Sequence, residues 1–449
     1  MSNGSILELV AKGQLDEELI DINNKSSLFS FVINKKNKYT KGDTIFYPKG
    51  KANWGNTFRI NIEKKGDLLY GLYIKVKLPK LSISNIGGLN LNENDPSTPY
   101  RITYVDSIGN ALIEKASLYI NGQLIDELHG DYMQVYTDLY VSDSNRKAML
   151  GTDSILNLPN LKIQSEYIYI PLKYWFTLNN DKPLPVIALQ NSDIYIDIQF
   201  RKFSECISVL EKDANDKIFH SNKTHPEVPI EEVCLQANFY YLDLEERKKM
   251  ATDDYEILIT QTQIRNQTFS SNVNLEIDFN HIVKDIIFFV QPVKHKIYGE
   301  YFNFSAKLKY PPPELFSSSI NFELWYLEPH RHLLSRARML FNGIERIEWR
   351  DAKYYYYMQN HENYRNTLQS YVYVYSFNIN PTKDTNFSGC NFSRLDNAQL
   401  QMEVKPNPFI LNTSLLTYPT DDTYELKCYA TNFNILVIKG GLVGLKYTC

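Results

Sequence analysis

His330 and His332 stand two apart in the stretch Pro329-His-Arg-His332, a spacing from which both imidazoles could reach one metal ion. Zinc wants three or four protein ligands, and no third stands at useful spacing. Glu345 and Glu348 are the nearest approach to a glycosidase carboxylate pair. Three apart on an expected strand they point to opposite faces, so solvated carboxylates are the simpler reading. The tyrosines at 354–357 could stack on bases or sugars, but a Tyr-rich strand packed on a core or a neighbour needs the same large, polar-tipped rings. The serine-hydrolase GxSxG, the zinc-protease HExxH and the phosphate-cradling GxxxxGK[ST] are all missing. Asn-x-Ser/Thr triplets at Asn3, Asn24, Asn222, Asn266, Asn303, Asn386, Asn391 and Asn412 follow from an Asn-rich composition. Five scattered cysteines, at 206, 234, 390, 428 and 449, make no CxxC pair and read as reduced thiols. Without catalytic, metal or cofactor chemistry, the chain is expected to work by its shape.

The elements that would build that shape are strands and turns. Residues 371–377 (YVYVYSF) alternate, with Tyr371, Tyr373, Tyr375 and Phe377 on one face. Pro381, Asn386 and Gly389 then supply turn chemistry, and Leu395, Leu400 and Met402 begin a further apolar segment. Similar strands are expected at 72–78, 194–200, 236–242, 273–280 and 285–291, the last apolar on both faces. A buried strand with a glycine-loosened tail is expected over 431–447. Asn121-Gly122 between two apolar runs is a strong hairpin signal, since both central residues must take positive φ. Long surface loops are expected at 84–100, 205–230 and 299–320. Asp243 with Glu246 resembles a capping box ahead of a short charged helix near 244–251. Residues 5–12 read as a short amphipathic helix that needs a packing partner.

Two segments recur. KASLYING (115–122) matches RARMLFNG (336–343) at an offset of 221, and IALQNSDIYIDI (187–198) matches SRLDNAQLQMEV (393–404) at 206. Two matches in one order indicate a duplicated β domain with the short helix between the copies. Each copy of roughly 200 residues suits a sandwich or jelly roll of about eight strands.

A chain of 449 residues is long for one core. Its net charge of −4 argues against a broad basic surface for nucleic acid. There is no basic-then-apolar start of a signal peptide and no apolar run long enough for a membrane span, so a soluble intracellular product is expected.

End to end, these stretches resemble the major capsid proteins of the nucleocytoplasmic large DNA viruses, the double jelly-roll family of phycodnaviruses, iridoviruses and marseilleviruses. The likeness is carried by LELVAKGQLDEELI (7–20), SLFSFVINKKNKYT (27–40), GDLLYGLYIKVKLP (66–79), IGNALIEKASLYINGQLID (108–126) and PLPVIALQNSDIYIDIQF (183–200). It continues in YYLDLEERKKMA (240–251), YVYVYSFNINP (371–381), SGCNFSRLDNAQL (388–400) and NFNILVIKGGLVGLKY (432–447). Asn23-Asn24-Lys25-Ser26 and Phe387 stand where family members commonly carry a proline-bearing turn.

The resemblance implies an all-β fold of two tandem eight-stranded jelly rolls. The expected boundaries are an N-terminal arm (1–27), a first roll (28–242), a connector helix (243–252) and a second roll (253–449). Structural motif positions are Asn121, Gly122, Asn342, Gly343, Ser388, Gly389, Asn391, Phe392, Ser393, Arg394, Asp396 and Asn397. It further implies a late protein, not an enzyme, with no cofactor and no bound metal, assembled in the host cytoplasm into the outer capsid shell of the virion. Its partners would be itself as a homotrimeric, pseudo-hexameric capsomer, neighbouring capsomers, minor capsid and penton proteins, and indirectly an internal lipid membrane, with no direct nucleic-acid binding. The other readings are a double jelly-roll scaffold that shapes a viral membrane and a carbohydrate-binding or carbohydrate-active β-sandwich.

Overall fold

The computed structural model describes residues 39–89, 91–95, 97–141, 162–179, 182–213, 217–313, 330–364, 370–382, 388–405 and 423–447. The arm and the helix expected at 5–12 lie outside them. Sixteen of the strands form two rolls. The first has β1 (Tyr39–Phe46), β2 (Thr57–Ile62), β3 (Leu68–Leu78), β4 (Ile113–Ile120), β5 (Gln123–His129), β6 (Glu166–Pro171), β7 (Ile194–Phe200) and β8 (Glu232–Leu242). They pair as two four-stranded sheets, β1-β8-β3-β6 and β2-β7-β4-β5.

The second roll has β9 (Tyr255–Phe269), β10 (Asn272–Glu276), β11 (Ile282–Pro292), β12 (Leu334–Phe341), β13 (Ile344–Asp351), β14 (Tyr373–Ser376), β15 (Ala398–Val404) and β16 (Tyr424–Lys439). Its sheets run β9-β16-β11-β14 and β10-β15-β12-β13. Every strand has its counterpart eight places on, so the duplication extends through the whole ladder order. The sheets face one another as open layers and do not close into barrels. The helix Leu244–Thr252 joins the rolls, with no buried residue, as its charged sequence requires.

Period-two patterning does what it should where one face meets the core. In β7 Ile194, Ile196, Ile198 and Phe200 are buried while Tyr195, Asp197 and Gln199 are half-exposed. In β11 ten of eleven residues are buried, and the middle of β16 is buried without a break. Such strands must be covered on both sides. The core side of β16 carries Leu426, Cys428 and Ala430; the opposite side is covered by the first roll, as described below.

Both Asn-Gly turns take the left-handed conformation at both residues: φ is 52° and 74° at Asn121 and Gly122, and 50° and 80° at Asn342 and Gly343. Anchored on them, β4 places Ile120 opposite Ile194 and β12 places Phe341 opposite Ala398. The true offset between β7 and β15 is therefore 204, not the 206 of the sequence match. A two-residue slip keeps every side chain on its own face, which is why the pattern alone does not reveal it.

Other expectations change. The loops expected at 84–100 and 205–230 pair in part: Tyr100–Tyr104 is hydrogen-bonded to Ile207–Lys212, which pairs Ile218–His220. The glycine-loosened tail is a hairpin, in which Gly440 and Gly441 turn at φ 57° and 80° and Leu442–Leu445 returns along β16. Only half of the capping box forms, with the Asp243 carboxylate accepting from the Glu246 amide at 3.0 Å. The strand expected at 273–280 stops at Glu276, although Ile277 and Phe279 remain buried.

A Cβ built on Gly343 meets nothing within 4 Å, so Gly343→Ala tests backbone strain alone. The variant is expected to lose about 1–2 kcal/mol, read as a lower midpoint of unfolding in guanidinium chloride with unchanged slope.

Candidate functional site

The residues first considered for chemistry are held by neighbours. His330 Nδ1 lies 2.8 Å from Ser305 Oγ, and His332 Nδ1 lies 3.2 Å from the Tyr373 hydroxyl. The His332 ring is packed edge-on against Tyr356 and Tyr371, and burial, with Lys405 and Lys353 nearby, pulls its pKa down to about 4. Glu345 pairs with Arg338 at 2.6 Å, and both Glu345 and Glu348 are exposed. Residues 354–357 are not a strand: they open a π-helical turn, Tyr354–Met358, in which Tyr355 and Tyr356 are buried. Burial pushes the Cys206 thiol up to about 12, leaving it unreactive.

The motif positions of the second roll come together as a plug at the end marked by its Asn-Gly turn. Asn342 Oδ1 accepts from the amides of Asp396 (3.1 Å) and Asn397 (3.0 Å), and its own amide donates to the Asn397 carbonyl at 2.7 Å. The Ser393 hydroxyl accepts from the His281 amide at 2.8 Å, where His281 takes φ 64°. Ser388 Oγ accepts from the Ile379 amide and donates to Asn378 Oδ1 at 2.8 Å. A Cβ on Gly389 would sit 2.6 Å from the Val283 carbonyl oxygen, so only glycine fits. Phe392 is the apolar centre, ringed by Phe279, Phe341 and Phe377 at 5.5–5.9 Å. Asn391 pairs with Ile282, and Arg394 ends the 3-10 turn Phe392–Arg394, exposed. In the first roll Asn121 makes the matching backbone bond, to the Asp193 carbonyl at 2.8 Å, but is not joined to the second-roll motif.

The larger construction is the seam between the rolls. Helix Gly130–Tyr140, which follows β5, lies on the outer side of β16 and β11. Its Tyr132 ring packs on Tyr429 (5.5 Å), and the Tyr132 and Thr431 hydroxyls are 3.4 Å apart. The hydroxyls of Tyr140 and Tyr364 both donate to Asp285 Oδ2, at 3.2 and 2.9 Å. Beside the helix, the Thr262 amide on β9 donates to Asp126 Oδ1 on β5 at 2.9 Å, and Gln261 donates to the Ile125 carbonyl. The Asn191 amide donates to the Gly441 carbonyl (3.1 Å), and His220 Nε2 lies 2.8 Å from Glu300 Oε1.

At the start of that helix Asp131 bonds to Lys427 of the second roll and, at 3.3 Å, to Arg201 of the first. Burial alone would raise the Asp131 carboxyl; the two cations outweigh it and hold it well below the usual carboxylate range. Asp126 is the reverse case. Burial raises it to about 7 despite the amides of Thr262 and Glu127. The sequence reading missed this seam, because Asp131 and Lys427 stand 296 residues apart. The helix did leave a signal: Tyr132, Tyr136 and Tyr140 recur at a spacing of four, in a stretch to which the sequence reading assigned no element. The arrangement holds two domains together by fixed charges and buried hydroxyls. Among the described residues it presents no nucleophile aligned with a base.

Two family models match the chain. One, described as "Major capsid protein N-terminus", covers residues 27–243, and one described as "Large eukaryotic DNA virus major capsid protein" covers residues 246–444. The major capsid protein of Pyramimonas orientalis virus is 25% identical over 99% of this chain and 99% of its own length. That of Phaeocystis pouchetii virus is 23% identical over 99% of both chains. Among solved structures, the PBCV-1 virus capsid superposes with a TM-score of 0.72 at 21% identity, covering 94% of this chain and 100% of the other. The Faustovirus major capsid protein reaches 0.70 at 12% identity, with 97% of each covered.

Asp131→Asn leaves two buried cations short of a countercharge and is expected to cost about 3–5 kcal/mol, measured by equilibrium unfolding near pH 7. Asp126 gives a second test. Its folded value lies above the unfolded one near 4, so the native state binds the proton more tightly. The resulting stabilisation is full below pH 4 and is lost as the pH rises through about 7. In Asp126→Asn, which keeps an oxygen for the two amides, unfolding midpoints should lack this fall between pH 4 and 7.

Proposed function

The chain belongs to the family of large eukaryotic DNA virus major capsid proteins, and from that premise we propose that three copies close into a pseudo-hexagonal capsomer. Membership makes it a structural subunit of a virion capsid, built from repeated contacts with itself. The trimer reading is carried by one observation, the unequal cover of two equivalent sheets. In the second roll the outer side of β9-β16-β11 is covered by β5 and the helix after it. Among the described residues nothing covers the same side of β1-β8-β3 in the first roll.

That bare face is dressed for a protein neighbour. It carries Tyr39, Tyr70, Tyr73 and Tyr240, and extends to Tyr167 and Tyr169 on β6; Tyr39 is 54% exposed, Tyr167 45% and Tyr169 41%. Tyr70 stacks on Tyr240 at 4.1 Å, with Lys41 over both rings, and Lys75 lies 4.3 Å from the Tyr167 centroid. Rigid tyrosines of this kind are enriched at interfaces, being large, apolar in body and polar at the tip. Repeating the internal seam between chains would set the second roll of one copy on this face of the next. A head-to-tail contact of that kind makes a ring if its rotation closes, and six similar rolls close at three chains. Such permanent interfaces bury on the order of 2,000–5,000 Å².

On this reading 28–242 and 253–449 are the two rolls, 243–252 the connector and 1–27 an arm at the inner end of the tile. The motif residues from Asn121 to Asn397 act as closures of that end and carry no catalysis. Neighbouring capsomers, minor capsid and penton proteins would grip the flanks and inner end, close to the membrane, and assembly would take place in the host cytoplasm.

Size exclusion with light scattering should give about 157 kDa, three chains of 52.4 kDa, stable on dilution. Tyr73→Glu, in the middle of the bare face, should shift the mass toward a single chain with its circular dichroism unchanged. A wild-type chain that runs as a folded monomer would overturn the closed-ring reading.

A further inference from the structure

Three histidines far apart in the chain, His220, His295 and His330, gather around one carboxylate, Glu300, where the second roll is clasped to the first. The loop 298–313 follows β11 and the helix Val293–Ile297 and lies on the first-roll hairpin of Ile207–Lys212 and Ile218–His220. His220 Nε2 lies 2.8 Å from Glu300 Oε1, and the His220 amide donates to the Pro311 carbonyl at 3.0 Å. The His220 ring stacks on Tyr298 at 4.8 Å and meets Tyr310 edge-on at 5.7 Å. Lys309 reaches Asp106 of the first roll at 3.4 Å.

Glu300 gives this loop its form. Besides His220, its carboxylate accepts from the Lys309 amide at 2.8 Å and from the Asn303 side chain at 2.6 Å. Burial alone would raise the Glu300 carboxyl; His220, His295 and the Asn303 amide outweigh it and hold it below the usual carboxylate range. From Asn303 the contacts run on to the other two rings. The Asn303 carbonyl lies 2.9 Å from His295 Nδ1, and Asn303 Oδ1 accepts from Ser305 Oγ, which stands 2.8 Å from His330 Nδ1.

His295 is 3% exposed. Burial lowers its pKa, the other two histidines lower it further, and Glu300 offsets them only in part. His330 is lowered by partial desolvation and by Lys307. Both rings are therefore neutral near pH 7. The other charged groups on the packed elements are Lys309 with Asp106, Lys296 with Glu425, Lys294 on the helix and Arg331 beside His330. Glu300 is already engaged by His220 and two amide groups, so a proton on His295 would charge a closed, poorly solvated ring.

We propose that this clasp is an acid-sensitive latch, in which proton uptake at His295, seconded by His330, frees the loop 298–313 from the first roll while the middle of the seam stays closed. Histidines in the released loop titrate near 6.5. The latched values lie below that, so the released loop binds more protons as the pH falls. The latch is at full strength above about pH 6.5 and weakens below it. Asp126, in the middle of the seam, has the opposite sense, since acid favours its folded state. The device lies within one chain and stands or falls apart from the trimer.

Hydrogen–deuterium exchange of the full-length protein near pH 7.5 and near pH 5, corrected for intrinsic rates, tests it. The amides of 298–313 should exchange about tenfold faster or more near pH 5, as a local opening. Those of the helix Gly130–Tyr140 should not. In the double variant His295→Gln, His330→Gln the loop should stay protected near pH 7.5 and the acid acceleration should vanish. Unchanged protection of the wild-type loop near pH 5, or equal acceleration in the wild type and the double variant, would overturn the proposal. Should the double variant be open near pH 7.5, His295→Gln alone takes its place under the same criteria. A loop open at both pH values there too would make these rings packing groups only, and would also overturn it.

Discussion

The structure depends on the need of β16 and β11 to be covered on both faces. A jelly roll supplies one cover, its own opposite sheet, and leaves the other side of these strands to something else. In this chain the something else is the preceding roll, which lays β5 and a helix across them. Several polar groups trapped by that act are answered: Asp131 by Lys427 and Arg201, Asp285 Oδ2 by two tyrosine hydroxyls, Asp126 by two amides, while Asp285 Oδ1 meets no hydrogen-bond donor among the described residues. Buried charge networks of this sort add little net stability over well-packed apolar side chains, but they penalise misplacement heavily. Their value here is in fixing how one roll sits on the other.

What could be read from the sequence follows from the range of the forces involved. Alternation in β7, the left-handed Asn-Gly turns and the Asp243 cap are local, and they stand where the pattern puts them. The two-fold repeat was legible for the same reason, although its register was not: a shift from 206 to 204 preserves alternation and is decided only by the pairing of Ile120 with Ile194 and Phe341 with Ala398. The seam is the opposite case. Its partners come from positions nearly three hundred residues apart, and no window of sequence contains both. Of the motif residues, Asn342 and the pair Asp396 and Asn397 were noted separately, and the structure joins them through two amides. The Tyr-rich run at 354–357 was misjudged, because rings that favour strands were recruited into a π-helical turn by packing, as tertiary context overrides propensity.

The side chains that invited a chemical reading are accounted for by their packing. His332 sits among tyrosines with its basicity suppressed, Cys206 is buried away from reagents, and Glu345 is tied to Arg338 on an exposed strand. A protein whose work is to hold a position has these groups spent on holding, which fits its place among capsid subunits.

The connector helix has a consequence for the order of events. Since Leu244–Thr252 ties one roll to the next, the seam within a chain forms at an effective concentration set by the tether, on the order of millimolar for short linkers, and is indifferent to how many chains are present. A contact between chains has no such tether and waits on supply. Half of a two-roll neighbourhood is thus complete as soon as a chain folds, at any level of synthesis, while the other half is gated by how much protein the cell has made. Fusion of two copies in one polypeptide is, in that sense, a device for timing.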